Sequence, residues 1–131
     1  MKNNLTLKGI LVKGLGKAGY FIKKQGYKNS FIELLGYTPW PGTLNIKLTL
    51  PFTTDVLDKI KPIIIEGFKE KDKTFGKIKC YPCIISEDIK THLIIPEKTK
   101  YDKNIIEIIS PIYLRKALNI TDDDKIIIEL R

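Results

Sequence analysis

Pro39-Trp40-Pro41-Gly42-Thr43-Leu44-Asn45-Ile46-Lys47-Leu48 is a Pro/Gly turn that feeds an alternating strand. Thr43 and Asn45 stand two residues apart, so on a strand both side chains point to one face. A hydroxyl and an amide carbonyl then lie side by side where the chain passes from turn to sheet. Hard oxygen donors of this kind suit Mg²⁺ when a phosphate supplies the missing negative charge.

Upstream of this strand, Leu5 to Lys13 alternates as a strand and Gly14 to Gly19 reads as a loop. Tyr20-Phe21-Ile22-Lys23-Lys24 is aromatic and β-branched and is expected to be extended. Ser30 and Glu33 have capping-box spacing, which predicts a short helix from Asn29 to Leu35 closed by Gly36. Downstream, Pro51 to Asp58 is a polar connection with room for a helical turn, and Pro62 to Phe68 is a short strand. Phe75 to Ser86 and Lys90 to Ile95 form a hairpin around Glu87-Asp88, and Asn104 to Ile109 is an apolar strand. Ser110-Pro111 has the pattern of an N-cap followed by Pro in the first turn, so a helix is expected to run to Leu118. Thr121 to Asp124 is a solvated turn without EF-hand spacing, and Lys125 to Leu130 is the last strand. Six or more short strands with two short helices do not make a βαβ pattern. The expectation is a mainly β protein, a small β-barrel with helices covering its ends.

A chain of 131 residues is expected to form one domain with a core of its own. With 43% hydrophobic and 29% charged residues, the composition is that of a soluble globular protein. No apolar run approaches the ~20 residues that span a bilayer. Met1-Lys2-Asn3-Asn4-Leu5 lacks the apolar centre of a signal peptide, so a cytoplasmic location without membrane contact is expected. The net charge of +8 comes almost wholly from scattered Lys, with Arg only at 115 and 131. That distribution favours a solvated basic exterior and a site for a small polyanion over a nucleic-acid surface. Cys80 and Cys83 lie inside a strand pattern. They lack the helix start of a redox pair and the further ligands of a zinc site, so both read as core or edge cysteines. His92, the only His, reads as structural or exposed rather than catalytic.

Gly14-x-Gly16-x-x-Gly19 matches the dinucleotide fingerprint letter for letter. That motif requires a helix opening at its last glycines, and the extended reading of Tyr20-Phe21-Ile22 rejects it. What remains is either a tight hairpin turn or a glycine loop whose N–H groups can cradle an anion, with Lys17 adding charge. Glu107 stands amid Ile105, Ile106, Ile108 and Ile109. On an inward face it would need a partner, which makes it a candidate acceptor for a substrate hydroxyl; on an outward face it would be an ordinary surface Glu.

Taken together these segments resemble the archaeal CTP-dependent riboflavin kinases. The matching motifs are Gly14-Leu15-Gly16 with Gly19-Tyr20-Phe21, Gly42-Thr43-Leu44-Asn45, Pro96 with Lys98-Thr99, Ile105-Ile106-Glu107-Ile108-Ile109, and Pro111 with Leu114-Arg115. Their order and spacing cover nearly the whole chain. The resemblance implies a six-stranded cradle-loop β-barrel with two or three short helices, as a single kinase domain over residues 1–131 without an N-terminal winged-helix domain. It implies transfer of the γ-phosphoryl group of CTP to the 5′-hydroxyl of riboflavin, giving FMN and CDP. It implies nucleotide contacts at Leu15, Gly16, Lys17, Ala18, Gly19, Tyr20, Ile112, Tyr113, Leu114 and Arg115. It implies Mg²⁺ on Thr43 and Asn45, and flavin at Thr99 and Glu107, with Glu107 orienting or deprotonating the acceptor hydroxyl. The family's glycine segment commonly reads Gly-Glu-Gly-Arg where this chain has Lys17-Ala18-Gly19. A monomer is expected. Two other readings remain open, a basic DNA-binding barrel of the swapped-hairpin type and a flavin-binding module without catalysis.

Overall fold

Alternation dictates which residues of each strand face inward. In β1 (Leu5–Val12) the positions of Leu7 and Leu11 turn inward with Gly9 between them, and Leu7 and Leu11 are fully buried. The same parity buries Leu44, Ile46 and Leu48 of β2 (Leu44–Leu48) and Ile126, Ile128 and Leu130 of β9 (Lys125–Leu130). The structure, a computed structural model, describes residues 5–14, 21–97, 99 and 101–131. Between β2 and β9 the described strands are β3 (Ile63–Ile65), β4 (Phe68–Glu70), β5 (Lys73–Phe75), β6 (Ile78–Ile84), β7 (Thr91–Pro96) and β8 (Ile105–Ile109). Six of them close a barrel in the order β6-β7-β8-β2-β1-β9, and β9 returns to pair with β6. All pairings among the described strands are antiparallel. Closure leaves the barrel proper without an open edge. β3 extends the sheet beside the lower half of β6, and β4 and β5 form a separate hairpin. At Gly9 a side chain would collide with the backbone of Lys47 and with Ile46, so only glycine lets β1 and β2 approach this closely.

Two apolar layers result. The barrel interior is filled by residues such as Leu7, Leu11, Ile46, Leu93, Ile106 and Ile128. The outer wall of β6, β7 and β8 carries Ile78, Cys80, Ile94 and Ile109, which are covered by Ile22 and by α1 (Gln25–Leu35) through Tyr27, Phe31 and Leu35. Those three helix residues recur every fourth position, one stripe of an amphipathic helix. Gly36 closes α1 with φ 86°, and its N–H donates to Ile32 O and Phe31 O. Three further chain features differ from the sequence expectation. α1 begins at Gln25 after Lys24, with no side-chain cap, so Ser30 lies inside the helix and no capping box forms there. Phe21 and Ile22 are helical, not extended, because Ile22 is drawn into the outer core. Pro62 to Phe68 is not one strand: β3 ends at Ile65, and Phe68 opens the β4–β5 hairpin, stacking on Phe75 at 4.8 Å. The connection after β2 does contain a helical turn, the 3₁₀ helix Thr54–Lys59, capped by Thr53 Oγ1.

Cys80 and Cys83 are both buried, three apart on β6, so one faces the outer core and the other the barrel interior. Both are free, and burial pushes both thiols up, to about 12 and about 11. Of the core and edge placements that the sequence leaves, both take the core. His92 is buried on β7, with Nδ1 2.8 Å from the Tyr37 hydroxyl. Burial, helped by the Lys90 charge, lowers its pKa to about 4. A His held neutral binds fewer protons folded than unfolded, so stability is present above the unfolded value near 6.5 and is lost as pH falls toward 4. Urea melts of the wild type should therefore show a decline from pH 6.5 to 4.5, at most ~1.4 kcal/mol per pH unit from this group. His92→Gln should flatten that decline; an unchanged slope would contradict the neutral buried imidazole.

Candidate functional site

The register between β2 and β8 sets Asn45 directly opposite Glu107. β7 sets Ile94 opposite Glu107, and β1 sets Val12 opposite Asn45. Paired residues share a face, so Asn45 and Glu107 both point to the outer wall of the barrel, on the side of Ile94 and Ile109. Glu107 is thus neither inside the barrel nor on an ordinary exposed face: it is 6% exposed and Asn45 7%. Thr43, just before β2, has the parity of Asn45 and joins them. Its Oγ1 donates to Glu107 Oε2 at 2.9 Å and stands 3.5 Å from Asn45 Oδ1. With one proton to give, the hydroxyl takes the shorter bond. Asn45 Nδ2 donates to Thr43 O at 3.1 Å, which fixes the carboxamide with its oxygen toward the hydroxyl. On the other side Gly14 packs flat on the Asn45 amide, where any Cβ would overlap it.

These three side chains line a cleft of about 600 Å³ together with Lys13, Gly14, Tyr101, Tyr113, Arg115 and Asp122. The turn Pro39 to Gly42 forms one rim. Trp40 N–H donates to Ser110 O at 2.7 Å, and the Trp40 ring stacks on Tyr113 at 5.4 Å. Arg115 Nη2 donates to Asp122 Oδ1 at 2.8 Å and to Val12 O at 3.3 Å, so the guanidinium is tied to both walls. A smaller recess of about 50 Å³ opens beside the stack, lined by Ile112, Tyr113, Leu114 and Arg115 among others. A third recess, lined by Ile94, Thr99, Tyr101, Lys103 and Ile105, meets the cleft at Glu107.

Burial raises the Glu107 carboxyl above its ordinary value, and the Thr43 hydrogen bond opposes the rise only in part. A raised carboxyl is a better proton acceptor than a free one. As ligands, the Thr43 hydroxyl and Asn45 carbonyl stand 3.5 Å apart. Neighbouring oxygens of an octahedral Mg²⁺ at 2.0–2.1 Å lie about 3 Å apart, so a small adjustment would let the pair hold one such ion. Among the described residues no three His, Cys, Asp or Glu side chains cluster as a metal cage. The donor set here is one hydroxyl, one carboxamide and one carboxylate.

The structure thus brings together Thr43, Asn45, Glu107, Tyr113 and Arg115 on one cleft, with Ile112 and Leu114 at its side and Thr99 across the Glu107 strand. Leu15, Gly16, Lys17, Ala18, Gly19 and Tyr20 lie outside the described residues, as does Lys98. The helix expected from Pro111 starts later, as α2 (Leu114–Ala117). Ser110 Oγ instead closes a turn, accepting from Ile112 N–H and donating to Ile112 O. Sequence reasoning missed Tyr101 and Asp122. Asp122 reads as part of a solvated acidic turn, yet it pairs with Arg115; nothing in its local sequence signals that, because the pairing depends on how the turn docks against β1. Asp124 O accepts from Leu11 N–H, and Asp123 N–H donates back to Leu11 O.

Glu107→Gln should leave the protein at least as stable as the wild type at pH 7. A carboxyl raised by folding loses stability as pH climbs from the unfolded value through the folded one, and a carboxamide keeps an acceptor for Thr43 without that loss. Thermal melts at pH 5 and pH 7 test this; a large drop confined to the variant at pH 7 would contradict the buried carboxyl.

A family model for CTP-dependent riboflavin kinases, described as "Domain of unknown function DUF120", matches residues 11–130. The chain is 42% identical over 125 residues to a riboflavin kinase of Methanocella arvoryzae, covering 95% of this chain and 56% of that protein. It is 36% identical over 131 residues to one of Archaeoglobus fulgidus, covering 98% and 56%. It is 38% identical over 133 residues to one of Thermococcus kodakarensis, covering 98% and 62%. The chain therefore spans little more than half the length of these relatives. No helix among the described residues is long and apolar enough to cross a membrane.

Proposed function

The chain belongs to the CTP-dependent riboflavin kinase family, and on that premise we propose that it transfers the γ-phosphoryl group of CTP to the 5′-hydroxyl of riboflavin. The products are FMN and CDP. The observation that carries this reading is the triad of Thr43, Asn45 and Glu107 lining the large cleft, with Glu107 also lining the third recess. A polyanion in the cleft meets Lys13 and Arg115, and an alcohol entering from the recess meets the Glu107 carboxylate. In the transfer a bond forms from the alcohol oxygen to the γ-phosphorus. The bond from that phosphorus to the bridging oxygen breaks, and CDP leaves with the electron pair. The alcohol proton passes to Glu107, whose raised pKa suits it to receive one.

Phosphoryl transfer needs alignment and charge neutralisation more than covalent help. Mg²⁺ held by Thr43 and Asn45 would neutralise phosphate charge as the bridging bond breaks. Both ligands are neutral, so the nucleotide must bring most of the charge that binds the ion, and metal affinity should be weak without it. Lys13 and Arg115 add fixed positive charge along the cleft. The Trp40–Tyr113 stack offers an aromatic rim beside the smaller recess, a setting for the pyrimidine ring.

Incubation with riboflavin, Mg²⁺ and each nucleoside triphosphate in turn, followed by separation of FMN, tests the reading. FMN is expected with CTP; formation with ATP but not CTP would break the nucleotide assignment, and none with any triphosphate would remove the kinase reading. Thr43→Ala and Asn45→Ala should each lower kcat about 10²-fold or more with folding intact, the scale set by loss of one transition-state contact. Glu107→Gln should lower kcat by about 10²–10⁴ and abolish its rise with pH. Wild-type turnover in all three variants would refute the triad.

A further inference from the structure

The cleft and the recess behind Glu107 have only two lining residues in common among those described, Glu107 and Tyr101. The two spaces therefore adjoin at these two residues among those described. Glu107 has a role in the proposed reaction; Tyr101 has none so far. We propose that Tyr101 is the acceptor-positioning residue: its ring forms the wall opposite Glu107 and holds the flat heterocycle of the acceptor, so that the alcohol arm threads toward the carboxylate. This inference rests on the riboflavin kinase reading and deepens it by naming what grips the acceptor.

Three observations support it. The first is the shared wall itself. The second is that the backbone around Tyr101 is tied down on several sides. Its own N–H donates to Thr99 Oγ1 at 3.2 Å. Lys103 O accepts from Thr54 N–H at 2.7 Å, Asn104 O accepts from Leu48 N–H at 2.6 Å, and Lys103 pairs with Asp55 at 2.9 Å. A ring carried on such a segment is presented at a fixed place despite standing in a loop. The third is the character of the recess, with Ile94, Ile95 and Ile105 making apolar surface and Thr54, Thr99 and Asp102 a polar edge. At about 70 Å³ it takes one edge of a ring system rather than the whole, which leaves a ring face to lie against an aromatic side chain at the opening. A flat heteroaromatic with polar edge atoms fits that combination better than an aliphatic alcohol does.

The test compares Tyr101→Ala and Tyr101→Phe with the wild type. Stacking of a heterocycle on an aromatic side chain is worth enough that Tyr101→Ala should raise KM for riboflavin about tenfold. Its KM for CTP should stay within about twofold and its melting temperature near that of the wild type, since the side chain is half-buried and lies outside both cores. Tyr101→Phe, which keeps the ring, should restore the riboflavin KM. A second readout needs no turnover: titration of riboflavin into the wild type should quench flavin fluorescence by stacking, and Tyr101→Ala should lose that quench while Tyr101→Phe keeps it. An unchanged riboflavin KM and quench in Tyr101→Ala would overturn the proposal, as would equal loss for riboflavin and CTP. If the wild type makes no FMN at all, the kinase reading fails, and the quench titration still decides for or against Tyr101.

Discussion

The β2–β8 register is the constraint on which the site depends. It sets Asn45 opposite Glu107, and the parity of β2 carries Thr43 onto the same face. A slip of one residue would turn every side chain of β2 to the other side. Asn45 would then enter the barrel, and Ile46, fully buried in the interior, would face the cleft. The apolar interior therefore enforces the register, and the polar triad inherits its geometry from it. Gly14, just past the end of β1, tightens the arrangement, because only a residue without a side chain can lie against the Asn45 amide.

The second requirement is a buried but wet position for a carboxylate. An exposed Glu would titrate in the ordinary range, and one sealed inside the barrel would be neutral and out of reach. The outer wall of β8 provides an intermediate setting. Ile94 and Ile109 flank Glu107 with apolar surface, α1 covers part of that wall, and the cleft keeps one side open. The same wall buries His92 beside Tyr37, so a neutral imidazole and a raised carboxyl are two outcomes of one desolvating layer.

Local pattern was a sound guide where it coincided with the barrel's needs. The strands at Leu5–Val12, Leu44–Leu48, Ile105–Ile109 and Lys125–Leu130, the β6–β7 hairpin and the Gly36 helix stop were all legible. It misled where a residue serves a distant partner. Phe21 and Ile22 look extended by composition but are helical, because burial of Ile22 under α1 outweighs a weak β preference. The helical state of Phe21 and Ile22 does not by itself exclude the dinucleotide fingerprint; the closed antiparallel barrel does, since that motif needs a parallel crossover. Ser30 and Ser110 carry cap signatures, yet Ser30 is inside α1 and Ser110 closes a turn ahead of α2. A cap motif records only local hydrogen-bonding capacity, and tertiary packing decides where the helix begins.

By itself the sequence determined the mainly β class, the pairing of Thr43 with Asn45 on one face, the structural character of both cysteines, and Glu107 as a residue to explain. Each is a matter of spacing along one strand, where a period of two leaves little freedom. Only the tertiary structure decided that Glu107 faces the outer wall, that its partner is Thr43, that Asp122 fixes Arg115, and that Tyr101 lines the same cleft and recess as Glu107. The Glu107–Thr43 contact joins residues 64 positions apart, and the Arg115–Asp122 contact residues 7 apart. Barrel closure and loop docking bring them together, and no local periodicity encodes either.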